Sequence, residues 1–151
     1  MSLYVKLPDR LCEWFSDMAE FSDYCFCTTF PATVRATPLT KPVVVFGTKS
    51  IEILDNSIDE TGSVVRDSRI AVDTFSISIH VPRESGGTEC CSVLNRIIDL
   101  LLYATPLEIT GFDSTATTYV RNTDSLNLNA TFTLSENINK HSIYPTPLIV
   151  D

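Results

Sequence analysis

Residues 74–102 read TFSISIHVPRESGGTECCSVLNRIIDLLL, and the hydrophobic period changes once along them. Phe75, Ile77, Ile79 and Val81 alternate with Thr74, Ser76, Ser78 and His80. A period of two puts the apolar set on one side of a strand and the polar set on the other. Pro82 ends the run because it has no amide N–H to give to a ladder. Arg83 to Gly87 reads as a turn, and the Thr88 hydroxyl is placed to cap the next helix. From there the period is helical: Cys90, Val93, Leu94, Ile97, Ile98 and Leu101 share one face, and Glu89, Ser92, Asn95, Arg96 and Asp99 share the other. Pro106 closes the helix.

Downstream, Leu107-Glu108-Ile109 starts a strand and Thr115 to Arg121 gives another. Asn122-Thr123-Asp124 is a polar turn. Leu126, Leu128, Ala130, Phe132 and Leu134 then alternate with Asn127, Asn129, Thr131 and Thr133, a second half-buried strand. The tail from about Glu136, with Pro145 and Pro147, has no period and reads as extended. Upstream, Leu7-Pro8-Asp9 begins an amphipathic helix to about Asp23, with Leu11, Trp14, Phe15, Met18 and Phe21 inward. Cys25 to Pro42 is rich in Thr and Pro and reads as extended loop. Val43 to Phe46 is a short strand that Gly47 stops, with Ile51 and Ile53 resuming the sheet. Asp55 to Asp67 is polar and reads as a long exposed hairpin loop. Adjacent strands in runs, with only two helices, predict an α+β fold: a mostly antiparallel sheet with two main helices packed on one face. Residues 1–151 form one domain in this reading.

Composition bounds the chemistry. A chain of 151 residues buries roughly 70% of its unfolded surface, so it folds without a metal or a disulfide. The net charge is −8, from 19 acidic and 11 basic residues, with no two basic residues adjacent. Affinity for phosphates needs clustered Lys and Arg, so a nucleic-acid binder of that kind is excluded. A surface that must let DNA slide past is equally served by negative charge. Five cysteines at irregular spacing, with no secretory leader pattern at Met1 to Lys6, read as reduced thiols in a cytosolic protein. The most apolar stretch, Ile97 to Tyr103, is interrupted by Asp99 and too short to cross a bilayer.

No catalytic constellation stands out. The two histidines, His80 and His141, lie far apart in the chain, and a thiolate nucleophile would have to pair His80 with Cys90 or Cys91. Cys90 falls on the apolar helix face, where a thiol behaves as a small hydrophobe. Cys25-Phe26-Cys27 lacks the spacing and the second pair of a zinc knuckle. Ser85-Gly86-Gly87-Thr88 lacks the lysine of a phosphate-binding loop. The reading is of a protein with no cofactor, no metal and no catalytic residues.

The succession Thr74 to Pro82, the helix Cys90 to Leu102, the strand Thr118-Tyr119-Val120-Arg121 and the amphipathic strand Asn127 to Leu134 resembles the tail terminator (tail completion) proteins of long-tailed bacteriophages and related particles. The resemblance covers about half the chain and lies in the order of elements. It implies a non-enzymatic virion protein, made in the host cytoplasm, that forms a hexameric ring on the head-proximal end of the tail tube. Such a ring stops tube polymerisation, meets a head-completion or neck protein, and leaves a lumen through which DNA passes without specific binding. No membrane is involved. The expected interface or lumen residues are Asp59, Glu60, Arg66 and Arg69 in the charged hairpin loop, and Tyr119 and Arg121 on a strand. Two other readings remain: a different connector, neck or tail component, and a small cytosolic enzyme or binding module that uses a Cys thiolate.

Overall fold

The computed structural model describes residues 6–29, 38–58, 61–62 and 64–139, with side chains throughout except at 55–58, 64–68 and 137–139. Its central strand contains the alternating stretch. This strand runs Val64–Pro82 and is the third in chain order, β3, after β1 (Cys25–Cys27) and β2 (Val43–Ile58). Helix α1 (Leu7–Ser16) precedes β1. Helix α2 (Gly87–Tyr103) follows β3, and then come β4 (Ile109–Ser114), β5 (Thr118–Val120) and β6 (Ser125–Asn139). The sheet order is β1-β2-β3-β6-β4, with β5 paired to β6 beside β4. Every pairing is antiparallel except β1 with β2.

Register follows from the period. Ile77 lies opposite Phe46 on one side and Ala130 on the other, and Ile79 opposite Val44 and Leu128. Phe75, Ile77, Ile79 and Val81 are each no more than 2% exposed, and burying such side chains stabilises the fold by about 1.5–3 kcal/mol apiece. Both helices cover this side. From α2, Cys90, Val93, Leu94, Ile97 and Leu101 are buried in the same core. From α1, Phe15 inserts with its ring centroid 5.3 Å from Phe26 and 5.5 Å from Phe46, both stacked. The predicted class, α+β with two helices on one face of a mostly antiparallel sheet, is the observed one.

Several boundaries differ from expectation, each for a local reason. Helix α1 stops at Ser16 rather than near Asp23; Met18 is extended, and a 3-10 turn at Ala19–Phe21 folds Phe21 back to 5.7 Å from Phe15. That turn is tied to α2 by Arg96, whose guanidinium donates twice to Glu20 at 2.8 Å. Cys25–Cys27 is a strand and not loop, and Tyr24 just before it donates its hydroxyl to Glu89 at the start of α2. The cap of α2 is the Gly86 backbone at φ 85°, and Thr88 makes no capping bond. Thr115 to Arg121 shortens to β5, with Arg121 in a 3-10 turn. Glu136 to Asn139, expected in an extended tail, pair with β3.

The largest correction concerns the hairpin. Gly47 does not stop β2: a Cβ there would sit 3.0 Å from the Ser76 hydroxyl, so glycine permits close approach in a strand that continues to Ile58. Most of Asp55 to Asp67, read as loop, is ladder, with Ser57 opposite Val65 and Ile58 opposite Val64. Asp59 and Glu60 lie outside the described residues, as do residues 30–37 and the chain beyond Asn139. Among the described residues no helix is long and apolar enough to cross a membrane.

Replacing Phe15 by Ala removes a ring at 0% exposure that touches four other aromatic rings, and should cost about 3–5 kcal/mol in a denaturant titration. Ile53→Ser, on an exposed stretch of β2, should cost less than about 1 kcal/mol in the same titration.

Candidate assembly interface

The sheet outgrows its helices. Beyond Thr74, β2, β3 and β6 continue together as a ribbon, with Ala71 opposite Ile53 and Glu136. Along β2 every residue from Thr48 to Leu54 is exposed, and among them Ile51 is 48%, Ile53 60% and Leu54 40% exposed. The pairing of β1 covers only Val43 to Val45, so among the described residues the outer edge of β2 from Phe46 onward has no ladder partner. Lys49 is extruded as a bulge between Thr48 and Ser50 where the ribbon leaves the body. Bulges and lysines blunt an edge against indiscriminate pairing. The opposite edge of the sheet is β4. Beside it, on the helix side, Leu94, Ile98 and Phe112 line a shallow recess of about 250 Å³.

Of the six residues expected at an interface, Asp59 and Glu60 lie outside the described residues, and the other four fall into two groups. Arg69 is exposed on the ribbon, opposite Asn56 and Ile138, and Arg66 is in the β3 backbone. Tyr119 and Arg121 are at the other end, near Ser125. Thirteen residue steps along β6 separate Ser125 from Ile138, roughly 40 Å at about 3.3 Å per step. The two groups therefore cannot form one contact patch within a chain. Tyr119 is 52% exposed but engaged: its hydroxyl donates to Asp124 Oδ1 at 2.7 Å, and that carboxylate raises the phenol pKa. Arg83 donates to the same oxygen at 3.0 Å, which holds Asp124 in a left-handed turn at φ 44°.

The sheet face away from the helices carries Thr74, Ser76, Ser78, His80, Asn127, Asn129, Thr131 and Thr133, short polar groups with no carboxylate or ammonium among them. Four of them are linked. Ser78 donates its hydroxyl to Asn129 Oδ1 at 2.7 Å, Asn129 Nδ2 donates to Asn127 Oδ1 at 3.0 Å, and Asn127 Nδ2 donates back to Ser78 at 3.1 Å. His80 Nε2 is 3.0 Å from the Ser78 hydroxyl. The Ser78 proton is committed to Asn129, and Asn127 Nδ2 lies 3.3 Å from the same ring nitrogen. His80 is thus not set up as a base for Ser78.

Nor does it face Cys90. Cys90 is buried on the helix side, its thiol near the Leu126 carbonyl at 3.7 Å, while His80 is on the other face. Burial pushes the Cys90 thiol up to about 11, and likewise Cys27 to about 11 and Cys12 to about 12. Such thiols are protonated near neutral pH and poor nucleophiles. Cys91 is exposed on the solvent side of α2. Among the described residues no group of three or more His, Cys, Asp or Glu side chains is arranged to hold a metal ion.

Sequence reasoning passed over the Ser78–Asn127–Asn129 network and two buried carboxylates, Asp73 at 0% and Glu136 at 7% exposure. The signal for the carboxylates was present. Asp73 is in phase with Phe75 and Ile77, and Glu136 with Leu134 and Phe132, so the period of two turns both inward.

Burial lowers the His80 pKa below the ordinary 6.5. The unfolded chain then binds the proton more readily, so the stability tied to neutral His80 is present above about 6.5 and is lost as pH falls through the lower folded value. An NMR titration of the ring should show a midpoint below 6.5, and His80→Gln should flatten the loss of stability just under that pH; a midpoint at or above 6.5 contradicts the burial. No known family profile matches the sequence, and no curated protein is significantly similar to it.

Proposed function

We propose that this chain is a structural assembly protein that caps the head-proximal end of a phage-type tail tube as a closed ring. The observation that carries the reading is the open-edged ribbon: a sheet that extends past its helices and, among the described residues, leaves the outer edge of β2, with Ile51 and Ile53, without a ladder partner. An enzyme has no need to expose a long strand edge, which invites aggregation unless a specific partner takes it. An assembly subunit does, because strand addition joins copies through backbone hydrogen bonds. The resemblance of residues 72–135 to tail terminators supplies the kind of assembly, a homohexameric ring placed between the tail tube protein and a head-completion or neck protein.

Charge is consistent with this role. At net −8 the chain repels nucleic acid, as suits a lumen through which DNA passes without being held. The protein then resides in the virion tail, after assembly in the host cytoplasm. A different connector or neck component would use the same open edges, and the two readings part at the partner that the ring binds. The thiolate-enzyme reading draws no support from Cys90 and His80, which occupy opposite faces of the sheet.

Added to polymerising tail tubes of the cognate particle, the chain should appear by negative-stain imaging as density at one end only, and mean tube length should fall as its concentration rises. Tubes of unchanged length with bare ends would overturn the cap, and binding to a neck protein without tube binding would select the connector reading instead.

A further inference from the structure

Among the described residues the sheet has two edges without a ladder partner, and they differ. On β2 the side chains that protrude toward the helix side are Ile51, opposite Asp73, and Ile53, opposite Ala71. At the β4 edge the recess lined by Leu94, Ile98, Phe112 and Ala130, with Asp113 and Ser114 at β4, is on that same side. Strand directions agree as well. The β2–β3, β3–β6 and β6–β4 pairings are all antiparallel, so β2 and β6 run one way and β3 and β4 the other. If a second copy is set beside the first without turning it over, its β4 lies antiparallel to the first copy's β2. Both sets of helices then remain on one side of the continued sheet.

The geometry points to a head-to-tail contact between copies of this chain, in which the outer edge of β2 adds to the β4 edge of the next copy and seats Ile51 and Ile53 in its Leu94–Ile98–Phe112 recess. The contact joins two different surfaces, so each copy keeps one of each kind free. Repetition closes into a ring when the rotation between copies divides a full turn. A β2-to-β2 contact would instead use the same surface twice and end at a dimer. This inference rests on the proposed ring and not on what the ring caps.

Mixing two variants decides it. Ile53→Asp spoils the β2 surface, and Ile98→Asp spoils the recess; Asp113→Trp, at an exposed residue that lines the recess, is a second β4-side change that blocks it by bulk, in case Ile98→Asp disturbs α2. Circular dichroism first establishes that each is folded, and mass is read by sedimentation across a concentration series, with no tubes present. The wild-type chain should assemble beyond a dimer, and each variant alone should be a monomer. An equimolar mixture of a β2 variant with a β4-side variant should give twice the single-chain mass and nothing larger, because only one intact pair of surfaces remains. Three outcomes overturn the proposal: a wild-type monomer at the highest soluble concentration, β4-side variants that assemble like wild type while Ile53→Asp does not, or a mixture that stays monomeric. Rings that form as expected and yet ignore tubes would leave this contact standing and remove the capping function.

Discussion

The register of β3 against its two neighbours is the constraint on which the rest of the molecule depends. Strand β3 is 19 residues long and pairs along most of its length with β2 on one side and β6 on the other. Its side chains alternate, so a slip of one residue against either neighbour would move Phe75, Ile77, Ile79 and Val81 into water and draw Ser76, Ser78 and His80 inward. Burial of the apolar set against α1 and α2 fixes the register, and the register fixes everything on the other face. Ser78 is brought beside Asn129 and His80 beside Asn127 because Ile77 and Ile79 are held against Ala130 and Leu128. The same phase carries Asp73 and Glu136 to the buried side of the ribbon.

What the sequence revealed and what it hid divide along this line. Where one face is buried, the alternation is plain, and the strand from Thr74 to Pro82, the apolar face of α2 and the strand through Leu128 and Phe132 were all legible. In the ribbon beyond Thr74, β2 is wet on both faces from Thr48 to Leu54, so no apolar set recurs and the polar residues of 55–67 resemble loop. Gly47 reads as a stop by propensity, whereas in the fold it is the residue that tolerates Ser76 opposite. The cap at Gly86 and the early end of α1 were hidden for another reason. The early end of α1 goes with the return of Phe21 onto Phe15 and the Glu20–Arg96 pair, the latter outside any local window, and the cap is the backbone of Gly86 at positive φ in place of a side chain. The expected interface residues were chosen for charge and aromaticity. The structure places Arg69 and Tyr119 toward opposite ends of β6 and engages Tyr119 with Asp124, while exposed Ile51 and Ile53 were read only as sheet.

Given that register, the long ribbon is a consequence with a use. A strand with one unpaired edge exposes amide and carbonyl groups in a row, and water satisfies them until another strand does. A bulge at Lys49 interrupts that row where it leaves the body, which limits the pairings that fit. The far edge offers a recess on the matching side. Stability and assembly are therefore separable in this fold. The aromatic cluster around Phe15 holds the body together, while the ribbon adds little to it and is available for a neighbour.

Amide hydrogen exchange along β2, measured as protein concentration rises, tests the availability of that edge most directly. If the β2 edge receives the next copy, amides between Thr48 and Leu54 should slow markedly with concentration, those of β4 should slow with them, and the central amides of β3 from Phe75 to Val81 should not change. Exchange at Thr48 to Leu54 that is independent of concentration, or that slows without any change in β4, would contradict it.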